Sequence, residues 1–351
     1  MSVVLITGSS GLVGSESVNF FSKKGFDVIG IDNNLRKFFF GNEGSTDKIK
    51  NNLLKNNKKF KSFNTDIRSY TSLEKIYKIY KKNISLIIHC AAQPSHDYGK
   101  NFPILDFNVN ATGTLNLLEL TKKYCPDTPF IFMSTNKVYG DNPNRLKIIE
   151  KKNRWELNKN DKNFKGIDEK FSIDNCTHSF FGVSKTYADL IVQEYGKNIG
   201  LKTVCFRAGC LTGPNHSGAK LHGFLSYLVK ISLTKKKYSL IGYKGKQVRD
   251  NLHSYDLVNS FWEFFKKPTS GEVYNIGGGR YSNCSIIEAL DLVDNIANIF
   301  IKRNILKKPR VGDHIWYISN LSKFKKQYPN WKQKYDTKKI IEELISHEKM
   351  S

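Results

Sequence analysis

Short apolar runs alternate with longer amphipathic stretches through the first 140 residues of the chain. Apolar runs of about four or five residues are typical of buried strands, and the longer stretches have the periodicity of helices. Strands that alternate with helices indicate βαβ units and a parallel sheet. The predicted strands are Val3–Ile6, Val28–Ile31, Leu86–Cys90, Phe130–Met133 and Thr203–Phe206, and the predicted helices cover residues 13–24, 105–124 and 182–198.

The regular alternation weakens after Arg207, where a loop containing Gly213 leads into a less regular C-terminal part. At 351 residues, the chain is long enough for about two domains. We therefore predict an α/β fold, in which a Rossmann doubly wound parallel sheet is joined to a smaller C-terminal α/β lobe. The predicted boundaries are 1–208 for the sheet domain, to which 250–276 returns, and 209–351 for the lobe.

The composition excludes several classes of protein. No run of 18 apolar residues is present, so no membrane span is predicted. The N-terminus has neither a basic region nor a small-residue cleavage site, which argues against a secretory signal. The six cysteines have no CxxC spacing, which indicates free thiols in a reducing compartment and argues against structural zinc. We expect a cytoplasmic protein without a metal.

The net charge is unusual, since 56 basic residues against 32 acidic ones give +24. A field of this sign attracts nucleic acid, a membrane surface or an anionic small molecule. The lysines are scattered with asparagines through loops such as 51–59, and no RNP, KH or helix-turn-helix pattern accompanies them. We therefore favour a generally basic surface that attracts an anionic substrate over a nucleic-acid partner.

A glycine-rich segment, Thr7–Gly14, follows the first predicted strand and opens a helix. Its glycines permit a tight turn and a close approach of the backbone to a pyrophosphate, toward which the helix N-terminus presents N–H groups. The GxxGxxG spacing is typical of extended short-chain dehydrogenases/reductases. Asp32 ends the second strand, 18 residues after Gly14. A carboxylate there accepts hydrogen bonds from ribose hydroxyls and repels a 2′-phosphate, which predicts NAD rather than NADP.

Further motifs follow in order along the chain, at Cys90–Gln93, Ser134–Gly140, Gly245–Asp250 and Asn275–Gly278. Together with the glycine loop, they resemble the NAD-dependent nucleotide-sugar epimerases of the extended short-chain dehydrogenase/reductase family. Within it they are most similar to the CDP-paratose (CDP-tyvelose) 2-epimerase group. The resemblance covers nearly the whole chain. It implies an NAD-dependent epimerase, a CDP-, UDP- or GDP-linked sugar as substrate, and a homodimer.

The resemblance also implies roles for single residues. Thr135 matches the hydroxyl that bonds the sugar oxygen being oxidised, and Lys185 matches the lysine that holds the nicotinamide ribose and favours deprotonation of the catalytic acid/base. Asn110 matches a helix asparagine near the active site. The expected cofactor contacts are Gly8, Gly11, Leu12, Val13, Asp32, Asn33, Asp66, Ile67, Ala91, Ala92 and Lys185. The expected substrate contacts are Asn136, Arg207 and Arg249, the last as a diphosphate clamp, with Arg310 as either a second clamp or a surface ion pair.

One departure from the family concerns the catalytic pair Tyr-x-x-x-Lys, whose members share a helix face. Phe181 stands at the tyrosine position and has no ionisable group. Tyr187 should face away, since it lies two residues beyond Lys185. His178 reaches the right face if the helix begins early, and its ordinary pKa suits a proton shuttle. A histidine bonded to a loop carbonyl is the alternative, and weaker candidates for the shuttle are Cys176, His96 and Tyr98.

A second departure concerns the reaction type. Related 4,6-dehydratases carry Asp-Glu directly after the threonine, whereas this chain has Asn136 and Lys137. An amide and an ammonium do not supply the acid and base for elimination of water, so we expect an epimerase. Two alternatives stay open: a relative that binds NAD and a sugar nucleotide without turnover, and an atypical RNA-binding member of the superfamily.

Overall fold

The computed structural model describes residues 2–216, 223–234, 237–306 and 312–350. The chain forms two compact units. The first comprises Met1–Val138, Phe180–Arg207 and Val258–Tyr274, and the second comprises Tyr139–Ser179, Ala208–Leu257 and Asn275–Ser351.

The chain passes from the first unit to the second after Arg207, within one residue of the boundary predicted after residue 208. Two other boundaries differ from the prediction. Residues 139–179 belong to the second unit instead of the first, and the returning segment is 258–274 instead of 250–276. The first difference has a physical reason. Segment 139–179 adds no strand to the large sheet, because its two short strands pair with each other and Ile167 bridges to Ser319 of the second unit.

The described residues form fifteen strands and thirteen α-helices. The strands are β1 Val3–Thr7, β2 Asp27–Ile31, β3 Phe60–Phe63, β4 Ile84–His89, β5 Phe130–Thr135, β6 Ile148–Glu150, β7 Trp155–Leu157, β8 Thr203–Ala208, β9 Cys210–Thr212, β10 Tyr238–Ile241, β11 Val248–His253, β12 Glu272–Ile276, β13 Asn283–Ser285, β14 Arg303–Leu306 and β15 Trp316–Tyr317. The helices are α1 Leu12–Lys23, α2 Leu35–Phe40, α3 Asp47–Asn56, α4 Tyr70–Tyr80, α5 His96–Asn101, α6 Pro103–Phe107, α7 Gly113–Tyr124, α8 Ser179–Lys197, α9 Phe224–Leu233, α10 Ser254–Lys266, α11 Ile286–Ala297, α12 Ser322–Gln327 and α13 Thr337–Met350.

The first unit is built on a seven-stranded parallel sheet in the order β12-β8-β5-β4-β1-β2-β3. All five residues of β1 are buried, because helices cover both faces of such a sheet. Its core joins Leu5 and Ile87 of the strands to Leu117 and Val192 of the helices. The strand order reverses between β1 and β4, and ligands of doubly wound folds bind at the carboxyl ends of the strands near such a reversal. The predicted Rossmann fold is confirmed.

The five predicted strands are confirmed, as are the helices predicted over 13–24 and 182–198. The helix predicted over 105–124 is interrupted by a π-helical turn at Asn108–Thr112, between α6 and α7. Apolar periodicity does not report such a turn, because it changes the helical repeat over only a few residues. Single-turn π segments are frequent at functional sites, and this one contains Asn110.

The second unit has small sheets around a separate core. Strands β10 and β14 pair in parallel, β6 and β7 form an antiparallel hairpin, and β11 pairs with β9, β13 and β15. Leu228, Leu240, Val293 and Ile341 belong to its buried cluster. All six cysteines lie within the described residues, and none forms a disulfide. No helix in the described ranges combines the length and apolarity that crossing a bilayer requires.

Candidate functional site

The glycine loop of the first unit is shaped by backbone contacts that exclude side chains. Gly8 has a φ of +67°, and a Cβ atom there would lie 2.8 Å from the backbone nitrogen of Ala91. A Cβ atom at Gly14 would lie 2.0 Å from the carbonyl oxygen of Gly8. At Gly11, the nearest such contact is 3.3 Å, again to Gly8 O. The loop after β1 therefore closes on itself at Gly8 and Gly14, as a dinucleotide-binding turn requires.

Helix α1 begins directly after this loop with its first-turn amides unsupported by a side chain. Gly11 is the N-cap residue, and no side-chain cap hydrogen bond is present. The first amides of a helix, here those of Leu12 and Val13, have no acceptor within the helix and carry part of the positive end of its dipole. The predicted contacts Gly8, Gly11, Leu12 and Val13 therefore form one cradle that suits a pyrophosphate.

Asp32 is held against the same loop. Its Oδ2 accepts a hydrogen bond from the backbone N–H of Ser10 at 2.9 Å, and its Oδ1 accepts one from the N–H of Asn34 at 2.8 Å. Burial raises the pKa of Asp32 above its usual value, although both hydrogen bonds and the nearby Arg36 oppose this. Each carboxylate oxygen keeps lone-pair capacity beyond its one amide donor, so the position fits ribose hydroxyls.

Asp66 borders a cavity of about 520 Å³ in the first unit. The described lining residues are Asp66, Arg68, Ser69, Asn108 and Thr112. The Asp66 carboxylate accepts hydrogen bonds from Arg68 Nε at 3.0 Å and from Asn33 Nδ2 at 3.0 Å. Burial works to raise the pKa of Asp66, but the contacts with Arg68 hold it below its usual value. Ile67 is buried, and a Cβ atom at Gly113 would meet its side chain. The predicted residues Asn33 and Asp66 are therefore directly hydrogen-bonded, and Ile67 packs against α7.

Lys185 is enclosed in the first unit, with a side chain that is almost fully buried. Its Nζ donates a hydrogen bond to the carbonyl oxygen of Met133 at 2.6 Å and lies 4.1 Å from the centre of the Phe132 ring. Burial lowers the pKa of Lys185 to about 8. An ammonium group with this pKa loses its proton only slightly above neutral pH. Through Met133, the Lys185 side chain contacts β5 near its carboxyl end.

Thr135 is the last residue of β5, at the carboxyl edge of the sheet. Its Oγ1 accepts a hydrogen bond from the backbone N–H of Lys137 at 3.2 Å and contacts Asn136 Oδ1 at 3.4 Å. Asn136 is buried, whereas Thr135 is partly exposed. Ala91 and Ala92 follow the neighbouring strand β4 at the same edge, and Ala91 N donates to Thr7 Oγ1 at 3.2 Å.

The first turn of α8 does not extend back to His178. The helix begins at Ser179, whose φ of +65° lies in the left-handed region, so the preceding backbone leaves the helical path. The His178 ring lies 3.7 Å from Cys176 Sγ, in the second unit. His178 is expected to share the face of Phe181 only if the helix begins early. The helix does not begin early, so that condition is not met. Tyr187 lies on the outside of α8 beside Phe107, as expected.

A buried carboxylate that the sequence analysis missed supports this helix start. Asp106 accepts hydrogen bonds from Ser184 Oγ at 2.5 Å and from Gln93 Nε2 at 2.5 Å. Asn110 Nδ2 also donates to Ser184 Oγ at 3.0 Å, and Asn110 Oδ1 accepts from the N–H of Gln93 at 3.0 Å. Burial raises the pKa of Asp106. The four-residue spacing of Asp106 and Asn110 was the available sequence signal, since it places both on one helix face.

Arg207 has a structural partner. Its guanidinium is buried, with Nη2 2.7 Å from Asp189 Oδ1 and Nε 3.1 Å from Asp189 Oδ2. Ser134 Oγ donates to the same carboxylate. A buried bidentate pair of this kind neutralises two charges inside the first unit. In the structure this arginine joins β8 to α8, and its predicted contact with substrate stays a prediction.

Arg249 lies on β11 in the second unit and is mostly buried. Its Nη1 donates to Val248 O at 2.8 Å, and its Nη2 forms an ion pair with Asp313. A guanidinium has five N–H donors, so this pairing leaves donors for a further anion. Arg310, the other predicted clamp, lies outside the described residues. Within the described ranges, no three His, Cys, Asp or Glu side chains are grouped as a metal would need.

Comparisons with known proteins agree with this geometry. The CDP-paratose 2-epimerase of Salmonella typhi is 28% identical over 351 residues, covering 97% of each chain. The UDP-glucuronate 4-epimerase of Thermodesulfobacterium geofontis is 25% identical over 351 residues, covering 99% of this chain and 97% of the relative. Among solved structures, the UDP-glucuronic acid 4-epimerase of Bacillus cereus, in complex with UDP-glucuronic acid and NAD, superposes with a TM-score of 0.78 at 24% identity, covering 99% of both chains.

The sequence profile of the NAD dependent epimerase/dehydratase family matches residues 4–277, which include the glycine loop, Thr135, Lys185 and Arg249. The profile match agrees with the sequence resemblance, and the seven-stranded sheet agrees with the fold of the solved neighbours. The chain therefore belongs to the NAD-dependent epimerase/dehydratase family of enzymes, whose cofactor is NAD.

Proposed function

We propose that this protein is an epimerase of a nucleotide-diphosphate sugar, which oxidises one ring hydroxyl to a ketone and reduces it again from the opposite face. One observation carries the proposal. At the carboxyl edge of the sheet, the hydroxyl of Thr135 is followed by Asn136 and Lys137, with the ammonium of Lys185 beneath the strand. This set suits oxidation and reduction at a carbinol, and it lacks the carboxylates that elimination of water uses.

The cofactor and the protein have separate tasks in this reaction. When bound, NAD takes up a hydride and returns it. The glycine loop and Asp32 hold the cofactor through its pyrophosphate and adenosine ribose. Thr135 donates a hydrogen bond to the sugar oxygen, and Lys185 bonds the nicotinamide ribose while its positive charge favours loss of the hydroxyl proton. Reoxidation by a second substrate is not needed, because oxidation and reduction cancel within each turnover.

The substrate end of the proposal rests on the second unit. Arg249 presents a guanidinium of the kind that binds a diphosphate with two parallel hydrogen bonds. Asp313 holds it by an ion pair and leaves part of its donor set for the ligand. The similarity to the CDP-paratose 2-epimerase of Salmonella typhi favours CDP-paratose, inverted at carbon 2, as the first substrate to test.

A second candidate function is favoured by Phe181. A relative that binds NAD and a nucleotide sugar without turnover would keep the cradle, Asp32 and Arg249 but would not need a proton carrier at position 181. Such a protein would act as a binding partner or a sensor of the nucleotide sugar.

Self-association belongs to the same proposal. The exposed face of α8 carries Phe180, Val183, Tyr187 and Leu190 at helical spacing, and exposed Phe107 of α6 contacts Tyr187. Monomers seldom expose an apolar stripe of this kind, and a two-fold pairing of two copies would cover it. We expect Leu190→Glu to halve the molar mass measured by light scattering, with Lys55→Glu at an exposed position of α3 as the charge-change control.

The function is tested by incubating the protein and NAD with CDP-, UDP- and GDP-sugars in D₂O and following the sugar protons by NMR. We expect one substrate to epimerise with its own hydrogen retained at the inverted carbon, because a returned hydride does not exchange with solvent. Deuterium at that carbon would indicate enolisation and contradict the proposal. Saturable binding of NAD and a nucleotide sugar without any epimer would establish the second candidate.

A further inference from the structure

His96 lies against the residue that replaces the family tyrosine. The centre of its imidazole ring is 5.1 Å from the centre of the Phe181 ring, and the ring planes meet at 69°. Both residues belong to the first unit. The imidazole therefore lies next to the side chain on which the family carries its hydroxyl.

The position of His96 in the fold brings it to the reacting edge of the sheet. It is the first residue of α5, in the segment that follows the carboxyl end of β4. Strand β4 pairs in parallel with β5, whose carboxyl end carries Thr135. The loops after parallel neighbours meet at one edge. The His96 segment and Thr135 therefore share that edge, where a sugar hydroxyl bonded by Thr135 would lie.

The segment around His96 is held firmly against the start of α8. A Cβ atom at Gly99 would lie 3.0 Å from the backbone nitrogen of Phe181 and 3.1 Å from Asp106 Oδ1, so the two segments are in close contact. Gln93 Nε2 donates to Ser95 O at 2.8 Å, and Ser95 caps α5 by accepting the N–H of Tyr98 at 3.4 Å. These contacts set the position of His96, and its ring is only partly buried, so it can exchange protons with solvent.

We propose that His96 is the acid/base that carries the substrate proton in place of the absent tyrosine; this rests on the function proposed above. As the carbinol C–H electron pair leaves as hydride, the O–H bond breaks, neutral His96 takes the proton, and the C–O bond becomes double. In the return half, imidazolium His96 gives its proton to the oxygen as hydride returns to carbon. No further oxidant or reductant is consumed. A histidine side chain can both accept and donate a proton in water near neutral pH, as the two directions require.

His178, the histidine that sequence spacing favours, has a weaker claim. It precedes the left-handed residue Ser179, and its ring lies beside Cys176 in the second unit. The His96 and Phe181 rings, by contrast, are in contact within the first unit. The two assignments therefore predict opposite effects of His96→Gln and His178→Gln on turnover.

The test compares His96→Gln, His178→Gln and the surface control His347→Gln in the full-length protein with NAD and the nucleotide sugar that turns over. We expect His96→Gln to lower kcat by about 10²- to 10⁴-fold while KM and the Kd of NAD change less than about threefold. The acid limb of the wild-type kcat profile, set by an imidazole, should disappear. The double variant His96→Gln/Phe181→Tyr should recover activity, now without the imidazole limb.

A loss of activity confined to His178→Gln, or a His96→Gln enzyme with the wild-type rate and pH profile, would overturn the proposal. A second readout separates it from the function itself. Imidazole ¹H–¹⁵N spectra, assigned with His96→Gln, should show His96 shifting when CDP, UDP or GDP sugars saturate the NAD-bound protein. If no sugar turns over, the proposed function fails. If a nucleotide sugar binds but leaves the His96 signal unchanged, the assignment of His96 fails, whether or not that sugar turns over.

Discussion

Two regions at the carboxyl edge of the same sheet differ in what holds them. The cofactor region, after β1 and β2, depends on backbone positions: Gly8 and Gly14 leave no room for a side chain. The chemistry region, after β4 and β5 and at the start of α8, depends on side chains, and there Phe181 replaces the family tyrosine. A backbone requirement has one solution, glycine, whereas a proton can be carried by any ionisable group within reach. Motifs are therefore most informative where the backbone is the functional group.

The largest effect is expected in the cofactor region. Gly14→Val would force the loop open, because even a Cβ atom there meets Gly8 O at 2.0 Å. We expect the Kd of NAD to rise on the order of 100-fold, since overpacking of this kind costs about 1–3 kcal/mol. Titration calorimetry measures this. Gly200→Asn is the control, because a Cβ atom at that positive-φ glycine meets nothing within 4 Å.

A side-chain clamp should give a loss of comparable size that is confined to one ligand. Arg249→Ala removes a charged hydrogen-bond donor, which is worth about 1.5–3 kcal/mol, so the Kd of the nucleotide sugar should rise roughly 10- to 150-fold. The Kd of NAD should stay unchanged. Equal losses for both ligands would show that the substitution disturbs the fold, and circular dichroism would then distinguish misfolding from a wrong assignment.

Thr135→Val tests the chemistry region directly. It keeps the shape of the side chain and removes the hydroxyl, so we expect kcat to fall about 10- to 100-fold with little change in KM. Thr135→Ser restores the hydroxyl and should retain most of the wild-type rate. If Thr135→Val keeps the wild-type kcat, another group bonds the sugar oxygen. The chemistry region would then depend even less than proposed on one particular residue.

Asp32→Ala should change selectivity more than affinity. The wild-type protein should prefer NAD over NADP at least about tenfold, because the carboxylate repels a 2′-phosphate. Arg36 lies close enough to act on the Asp32 charge, so removing the carboxylate should let it attract that phosphate. Competitive binding of the two cofactors measures the ratio. The double variant Asp32→Ala/Arg36→Gln should lose the gain for NADP.

A further test concerns stability instead of binding or rate. Burial lowers the pKa of Lys185 to about 8 from a usual value near 10.5. Between these values the unfolded chain binds more protons than the folded one, so the free energy of unfolding rises with pH there and is level below pH 8. The free energy of unfolding of the wild type minus that of Lys185→Met should therefore rise by up to about 1.4 kcal/mol per pH unit above pH 8. Urea denaturation at several pH values measures it. A difference independent of pH would contradict the lowered pKa.

Hydrophobic periodicity was sufficient to predict five of the seven strands of the large sheet and the helices α1 and α8, because the buried strands are short and apolar on both faces. The glycine loop and Asp32 were also predictable, since their spacing follows from backbone geometry. Three features were not. The left-handed backbone of Ser179 separates His178 from the helix, a buried partner at Asp189 engages Arg207, and segment 139–179 joins the second unit. Each depends on contacts between residues distant in sequence, which local patterns do not report.

The hydrogen-bonded group around Asp106 has a consequence for how such a site can change. Its hydrogen bonds join segments that are far apart in sequence. The bonds to α8 are made by Ser184, about one turn beyond position 181. The anchor of the helix and the position that carries chemistry are therefore different residues. We therefore expect an exchange of the side chain at position 181 to leave these hydrogen bonds, and with them the position of the helix, in place.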